Sequence, residues 1–193
     1  MEIPRPKSKQ PIPDSAKCVF KGVIFDVYQW EQKLYDGATT TFEKLKRPDT
    51  VVIFPILPDG RILLTEQEQP GKEPYIGACG GRVDEGEDVL TAAKRELLEE
   101  SGYEADEFIL WDAQQPTSKI EWVVYTFIAK GLRKVADVHL DGGEKIQLTP
   151  VTFDEFIEVG SSRRFSEKEI GGKVLEAKYD AVKRKDLEAL FKP

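Results

Sequence analysis

Glu96, Glu99 and Glu100 stand at relative positions i, i+3 and i+4, the spacing that puts side chains on one face of an α-helix. They fall within an arc of about 100°. Asp84, Glu85 and Glu87 precede them closely enough to reach the same region. Carboxylates at this spacing repel one another by about 0.2–0.5 kcal/mol per exposed pair, and partial burial raises the penalty. A divalent cation reverses the sign, and hard carboxylate oxygens suit Mg²⁺ or Mn²⁺. Arg95, four residues before Glu99, can orient it. Val89, Ala92 and Ala93 lie around the same side and, being small, are read as leaving room for metals, water and a phosphate. By itself the spacing is more often a solvated acidic face, so its surroundings must decide.

The element that positions these side chains is expected over residues 88–101, DVLTAAKRELLEES. No Gly or Pro interrupts it, good helix formers dominate, and Gly102 stands just past its end. Before it, residues 1–16 carry few large apolar groups and form an extended arm. Residues 17–47 form strands, with a first run CVFKGVIFDVYQWEQ and a turn at Tyr35-Asp36-Gly37. VVIFPIL and RILLTEQEQ flank Pro58-Asp59-Gly60, which predicts a hairpin. Residues 70–86 are Gly- and Pro-rich loop with room for a short strand. Strands are expected at 107–112 and 121–129, a short helix in TPVTFDEFIEVG with Thr152 as N-cap, and a last amphipathic helix over 173–191. Strands and helices mix without regular βαβ alternation, giving an α/β or α+β domain with a mixed sheet.

Composition limits the chemistry. The 193 residues suffice for one domain with a real core and some peripheral elements. The cysteines are Cys18 and Cys79 alone, which build neither a disulfide framework nor a thiolate zinc site. The only histidine, His139, makes a Ser-His-Asp triad a weak reading and is taken as structural. Carboxylates must then carry most acid–base and metal chemistry. The net charge of −7 argues against a general nucleic-acid binder, yet allows an anionic small molecule if cations mediate. No apolar run approaches the roughly 18 residues that span a membrane. The opening MEIPRPKSKQPIPDSAK has no signal-peptide stretch, so the expected compartment is the cytoplasm.

From Gly81 the chain runs GRVDEGEDVLTAAKRELLEESGY. This resembles the Nudix signature, G-x5-E-x7-R-E-U-x-E-E-x-G-U with U a bulky apolar residue. It fits at Gly81, Glu87, Arg95, Glu96, Leu97, Glu99, Glu100 and Gly102, with aromatic Tyr103 in the last place. The resemblance implies the Nudix α/β/α sandwich with a mixed β-sheet, plus N-terminal antiparallel strands. It implies Glu96, Glu99 and Glu100 as metal ligands, joined by the backbone carbonyl of Gly80. Glu87 and Arg95 would hold the box loop, which starts at Gly81, and orient the ligands. The implied reaction is attack of water on a diphosphate joining a nucleoside to another group.

Outside the box the chain resembles ADP-ribose and nucleoside-diphosphate-sugar pyrophosphatases. FEKLKR, residues 42–47, is similar to the segment where that group has an adenine-stacking aromatic and a phosphate-binding arginine, here Phe42 and Arg47. PTSKIE, residues 116–121, stands where it has a loop with a catalytic glutamate, here Glu121. TEQEQP, residues 65–70, matches a strand ending in Gln-aromatic-Arg-Pro, but Gln69 replaces the arginine. The group's Glu-x-Pro-Ala-Gly is here Gly77-Ala78-Cys79-Gly80-Gly81, and Arg82 is a candidate replacement cation. The resemblance implies a homodimer built through residues 1–47, with the hydrolase domain over 48–193. It implies ADP-ribose or a related nucleotide sugar as substrate, cut to a nucleoside monophosphate and a sugar phosphate. The alternatives are a nucleoside triphosphate or dinucleotide substrate, and a non-catalytic nucleotide sensor.

Overall fold

The computed structural model describes residues 3–139 and 145–193. The N-terminal strands β1 (Lys17–Lys21), β2 (Asp26–Lys33) and β3 (Thr39–Lys46) form an antiparallel meander. The first strand-rich run is thus two strands, broken where the Gly22 N–H donates to the Phe25 carbonyl. The short β10 (Ile120–Glu121) adds to β3 in parallel and ties the meander to the rest of the chain.

The central sheet has the order β7-β4-β11-β9: β7 (Cys79–Arg82), β4 (Thr50–Pro55), β11 (Val124–Lys130) and β9 (Glu107–Gln114). Its inner pair, β4 and β11, is parallel, and both outer strands run antiparallel to their neighbours. Buried parallel strands must be apolar on both faces, and these alternate between two cores. Val51, Ile53, Tyr125 and Phe127 pack on one side, while Val52, Phe54, Val124 and Ile128 pack on the other. A second sheet has the order β13-β5-β6: β13 (Lys145–Val151), β5 (Ile62–Glu68) and β6 (Tyr75–Gly77). A two-stranded ribbon pairs β8 (Tyr103–Glu104) with β12 (Arg133–Lys134).

Helix α1 (Val89–Ser101) covers one face of the central sheet through Ala92, Ala93 and Leu97, all fully buried. Truncating Leu97 to alanine there costs about 2–5 kcal/mol. The opposite face is covered by α2 (Phe153–Gly160), α3 (Lys168–Tyr179) and α4 (Ala181–Leu190). Phe156, Ile170, Val174 and Leu187 bury against Phe54 and Ile128 there. The result is helix–sheet–helix layering, with the N-terminal meander attached beside it.

Three local expectations need correction. The Asp59-Gly60 turn closes only a short hairpin: the Gly60 N–H donates to the Leu57 carbonyl, the Leu57 N–H to the Arg61 carbonyl, and Ile56 bridges Ile62, after which β4 and β5 enter different sheets. The last helix is two helices, because the Asp180 side chain accepts from the Val182 and Lys183 N–H groups and starts a new one. The residues just before Thr152 are strand β13, although Thr152 does cap α2 in a full capping box with Glu155. No described helix is long and apolar enough to cross a membrane.

Candidate active site

Both ends of α1 are fixed by local chemistry. At the start, Asp88 accepts from the Leu90 and Thr91 N–H groups, satisfying donors the helix leaves unpaired. At the end, Gly102 takes the left-handed conformation at φ 68° and its N–H returns to the Leu98 carbonyl at 2.7 Å. The loop before the helix is closed by Glu87, whose N–H donates to the Asp84 carbonyl while its Oε2 accepts from the Asp84 N–H.

Arg95 is the hub of the site. Its Nε and Nη2 grip both oxygens of Glu87 at 3.1 and 3.0 Å, and Nη2 also donates to the Arg82 carbonyl at 2.9 Å. Its Nη1 donates to Glu96 Oε1 at 2.8 Å and to Glu99 Oε2 at 3.2 Å. The hydrogen bonds to Glu87 and Glu96 raise the Arg95 pKa, so it stays charged. The same bond holds the Glu87 carboxyl below its ordinary range. Glu100 is buried and accepts from the Gly80 N–H at 2.8 Å.

The glycines of β7 let strand and helix approach. At Gly80, φ is 156° and a Cβ would stand 2.2 Å from the Val51 carbonyl oxygen. At Gly81 a Cβ would stand 2.3 Å from Glu96 Oε1. Ala92 and Ala93 serve the same closeness: they are sealed against the sheet and do not leave room around the carboxylates.

Glu96, Glu99 and Glu100 all line one cavity of about 520 Å³, with Gly80, Gly81, Arg82 and Arg95. Among the described residues no three side chains converge closely enough to hold a cation as they stand. The donor set nevertheless fits a hard divalent ion, since one cationic nitrogen, Arg95 Nη1, already sits between the Glu96 and Glu99 carboxylates. Cys79 lies beneath, and burial together with Glu100 and Glu96 pushes its thiol well up, so it offers no thiolate.

The other expected residues lie outside this cavity. The Arg47 guanidinium stacks over Trp122 at 4.7 Å and Phe25 at 5.7 Å. Its Nε has no hydrogen-bond partner among the described residues, and burial and the charge of Arg82 lower its pKa. Phe42 packs against Trp30 at 6.0 Å in the N-terminal meander. Glu121 is held by Lys44 at 2.6 Å, Arg5 at 2.8 Å and Ser8 at 2.6 Å, and lines a different cavity with Tyr28 and Lys46.

Sequence reasoning missed two contributors. His139 lines the carboxylate cavity, and its backbone N–H donates to the Glu99 carbonyl at 2.8 Å. Glu167, at the start of α3, enters the adjoining cleft; no motif marks it.

Known proteins resemble this chain in sequence and fold. The methanol dehydrogenase activator of Bacillus methanolicus is 29% identical over 150 residues, 76% of this chain and 80% of that protein. An ADP-ribose pyrophosphatase of Bacillus subtilis (strain 168) is 26% identical over 148 residues, 75% of this chain and 80% of its own length. A crystal structure of an ADP compounds hydrolase superposes with a TM-score of 0.70 at 20% identity, covering 90% of this chain and 95% of that one, and so shares the fold. The NUDIX domain model matches residues 46–177, which contain α1 and its carboxylates, and the chain belongs to that family.

Proposed function

We propose that this protein hydrolyses the diphosphate linkage of ADP-ribose or a related nucleotide sugar, with Mg²⁺ or Mn²⁺, to a nucleoside monophosphate and a sugar phosphate. The observation that carries the reading is the gathering of Glu96, Glu99 and Glu100 around one cavity, with Arg95 bridging two of them. The naming of a relative as an ADP-ribose pyrophosphatase supports the substrate class.

Glu96, Glu99 and Glu100 would hold the metal, with the Gly80 backbone beside Glu100. When bound, the cation supplies neutralisation of phosphate charge and a lowered pKa for the attacking water. Arg95 keeps Glu96 and Glu99 pointed into the cavity, and Glu87 keeps Arg95 in place. Glu99 or Glu100 takes the proton from water, because Glu121 is committed to Lys44, Arg5 and Ser8. Arg82, in the cavity wall, and Arg47 beside it form a cationic margin that an anionic substrate relieves.

We assign the active form to a homodimer. Val19, Phe20, Val23 and Ile24 leave large apolar surface exposed along β1 and the turn after it, and a second copy would cover it. Phe42 would then reach substrate at the interface.

A metal-dependence panel over ADP-ribose, GDP-mannose, UDP-glucose, NADH and nucleoside triphosphates tests the reading. Formation of AMP and ribose 5-phosphate from ADP-ribose is the expected result. Absence of turnover of every diphosphate with either metal rejects it.

A further inference from the structure

The carboxylate cavity continues past Glu100. It shares Gln69, Gly80, Gly81 and Glu100 with a second cleft of about 450 Å³. The far wall of that cleft comes from β5, β6 and the entry to α3, and includes Gln67, Tyr75 and Glu167.

Glu167 occupies the N-cap position of α3 without making a cap hydrogen bond. Its side chain is turned to β6 instead, where Oε1 accepts from the Ser166 hydroxyl at 2.5 Å and the Ala78 N–H at 3.3 Å. The backbone is fixed there as well: the Ile76 N–H donates to the Arg164 carbonyl at 3.0 Å, and the Ser166 N–H to the Ile76 carbonyl at 2.8 Å. Gly77 makes the arrangement possible. A Cβ there would stand 2.6 Å from Ser166 Oγ and 2.8 Å from Glu167 Oε1.

The chemistry of this wall selects its occupant. Glu167 Oε2 has no protein donor among the described residues, while Oε1 is fully engaged. Gln67 is nearly buried, with its amide fixed between Thr65 Oγ1 at 2.9 Å and the Tyr75 hydroxyl at 2.7 Å. A second phosphate would meet carboxyl groups at both ends of the cleft, Glu100 and Glu167, and the one ammonium in its described lining, Lys72, is already engaged by Gln69 Oε1 at 2.8 Å and the Tyr75 ring. An alkyl group would leave the Glu167 oxygen unpaired. A hydroxyl-rich group satisfies it. Burial already pushes the Glu167 carboxyl above its ordinary range, and an anionic neighbour would push it further.

We propose that this cleft binds the sugar of the sugar-phosphate half of the substrate, and that Glu167 is a specificity-determining residue which grips a sugar hydroxyl. The assignment rests on the pyrophosphatase reading and deepens it: substrates carry a hydroxylated group on the distal phosphate.

The test uses Glu167→Leu, which fills the volume, and Glu167→Ala. Ribose 5-phosphate is titrated calorimetrically into each protein with Mg²⁺ present. Hydrolysis of ADP-ribose is compared with that of ADP β-methyl ester, the same nucleotide without distal hydroxyls. Both variants should bind ribose 5-phosphate about ten- to a hundredfold more weakly, as expected for a hydrogen bond to a charged or strongly polar group. The kcat/KM for ADP-ribose should fall alike, and that for the methyl ester should stay unchanged. Equal binding by wild type and variants, no binding by wild type, or equal losses on both substrates overturns the assignment. If the wild-type enzyme hydrolyses neither compound, the pyrophosphatase reading fails, and the calorimetric comparison still decides Glu167.

Discussion

Lys44 and Glu121 meet at 2.6 Å, with the ammonium side chain 1% exposed and the carboxylate side chain 13% exposed. The pair joins β3 to β10 and receives the N-terminal arm through Arg5 and Ser8. Breaking a buried pair from one side strands the other charge, at about 3–5 kcal/mol. Glu121→Leu, which strands the Lys44 ammonium, should therefore lower the urea-unfolding free energy by about that amount, and adding Lys44→Met should recover part of it. Loss of less than about 1 kcal/mol in Glu121→Leu would show that the pair is solvated.

The same carboxylate sets a pH dependence. Burial raises the Glu121 pKa, but hydrogen bonds from Lys44, Ser8 and Arg5 outweigh it and hold the group below its ordinary range. A depressed folded-state pKa contributes stability that is fully present above the unfolded value of about 4.3 and disappears as pH falls through the folded value. Stability should fall over that acidic window, and Glu121→Gln should flatten the fall. Turnover by Glu121→Gln should stay near wild type; a collapse with the fold intact would restore a catalytic role to Glu121.

Arg95 contacts Glu87 through two nitrogens and both carboxylate oxygens. Lysine offers a single point charge and cannot copy that fork. Arg95→Lys should keep the net charge yet weaken metal binding and activity about ten- to a hundredfold, the usual effect of losing a group that orients metal ligands. Metal titration of turnover measures it, and an unchanged half-saturating Mg²⁺ concentration would contradict the assignment.

Glu100 receives the Gly80 N–H at 2.8 Å. Glu100→Gln can keep that contact through its amide oxygen, so circular dichroism and melting should change little. Turnover should drop by more than about a hundredfold, beyond what outer-shell losses produce. Wild-type turnover would remove Glu100 from the metal site.

The legible parts of the fold were those with local causes. Helix α1 was readable because its start at Asp88 and its stop at Gly102 are set by neighbouring backbone groups. The Asp59-Gly60 turn is real, but the partners of β4 are chosen by β11 and β7, which no local pattern reveals. The break at Asp180 was hidden because the apolar pattern runs through it without Gly or Pro. In the site, the spacing of Glu96, Glu99 and Glu100 was visible in one segment. Glu167 was not, because it reaches the cleft from across the fold; Gly77, a departure from the resembling motif, was the one trace of it.

The burial of Cys79 has a practical side. It is fully enclosed with its thiol held neutral, whereas Cys18 is open on β1. A maleimide dye should therefore attach at a single point on the native protein. That point lies on the apolar strand assigned to the partner copy, so its fluorescence would report association directly, without any mutation.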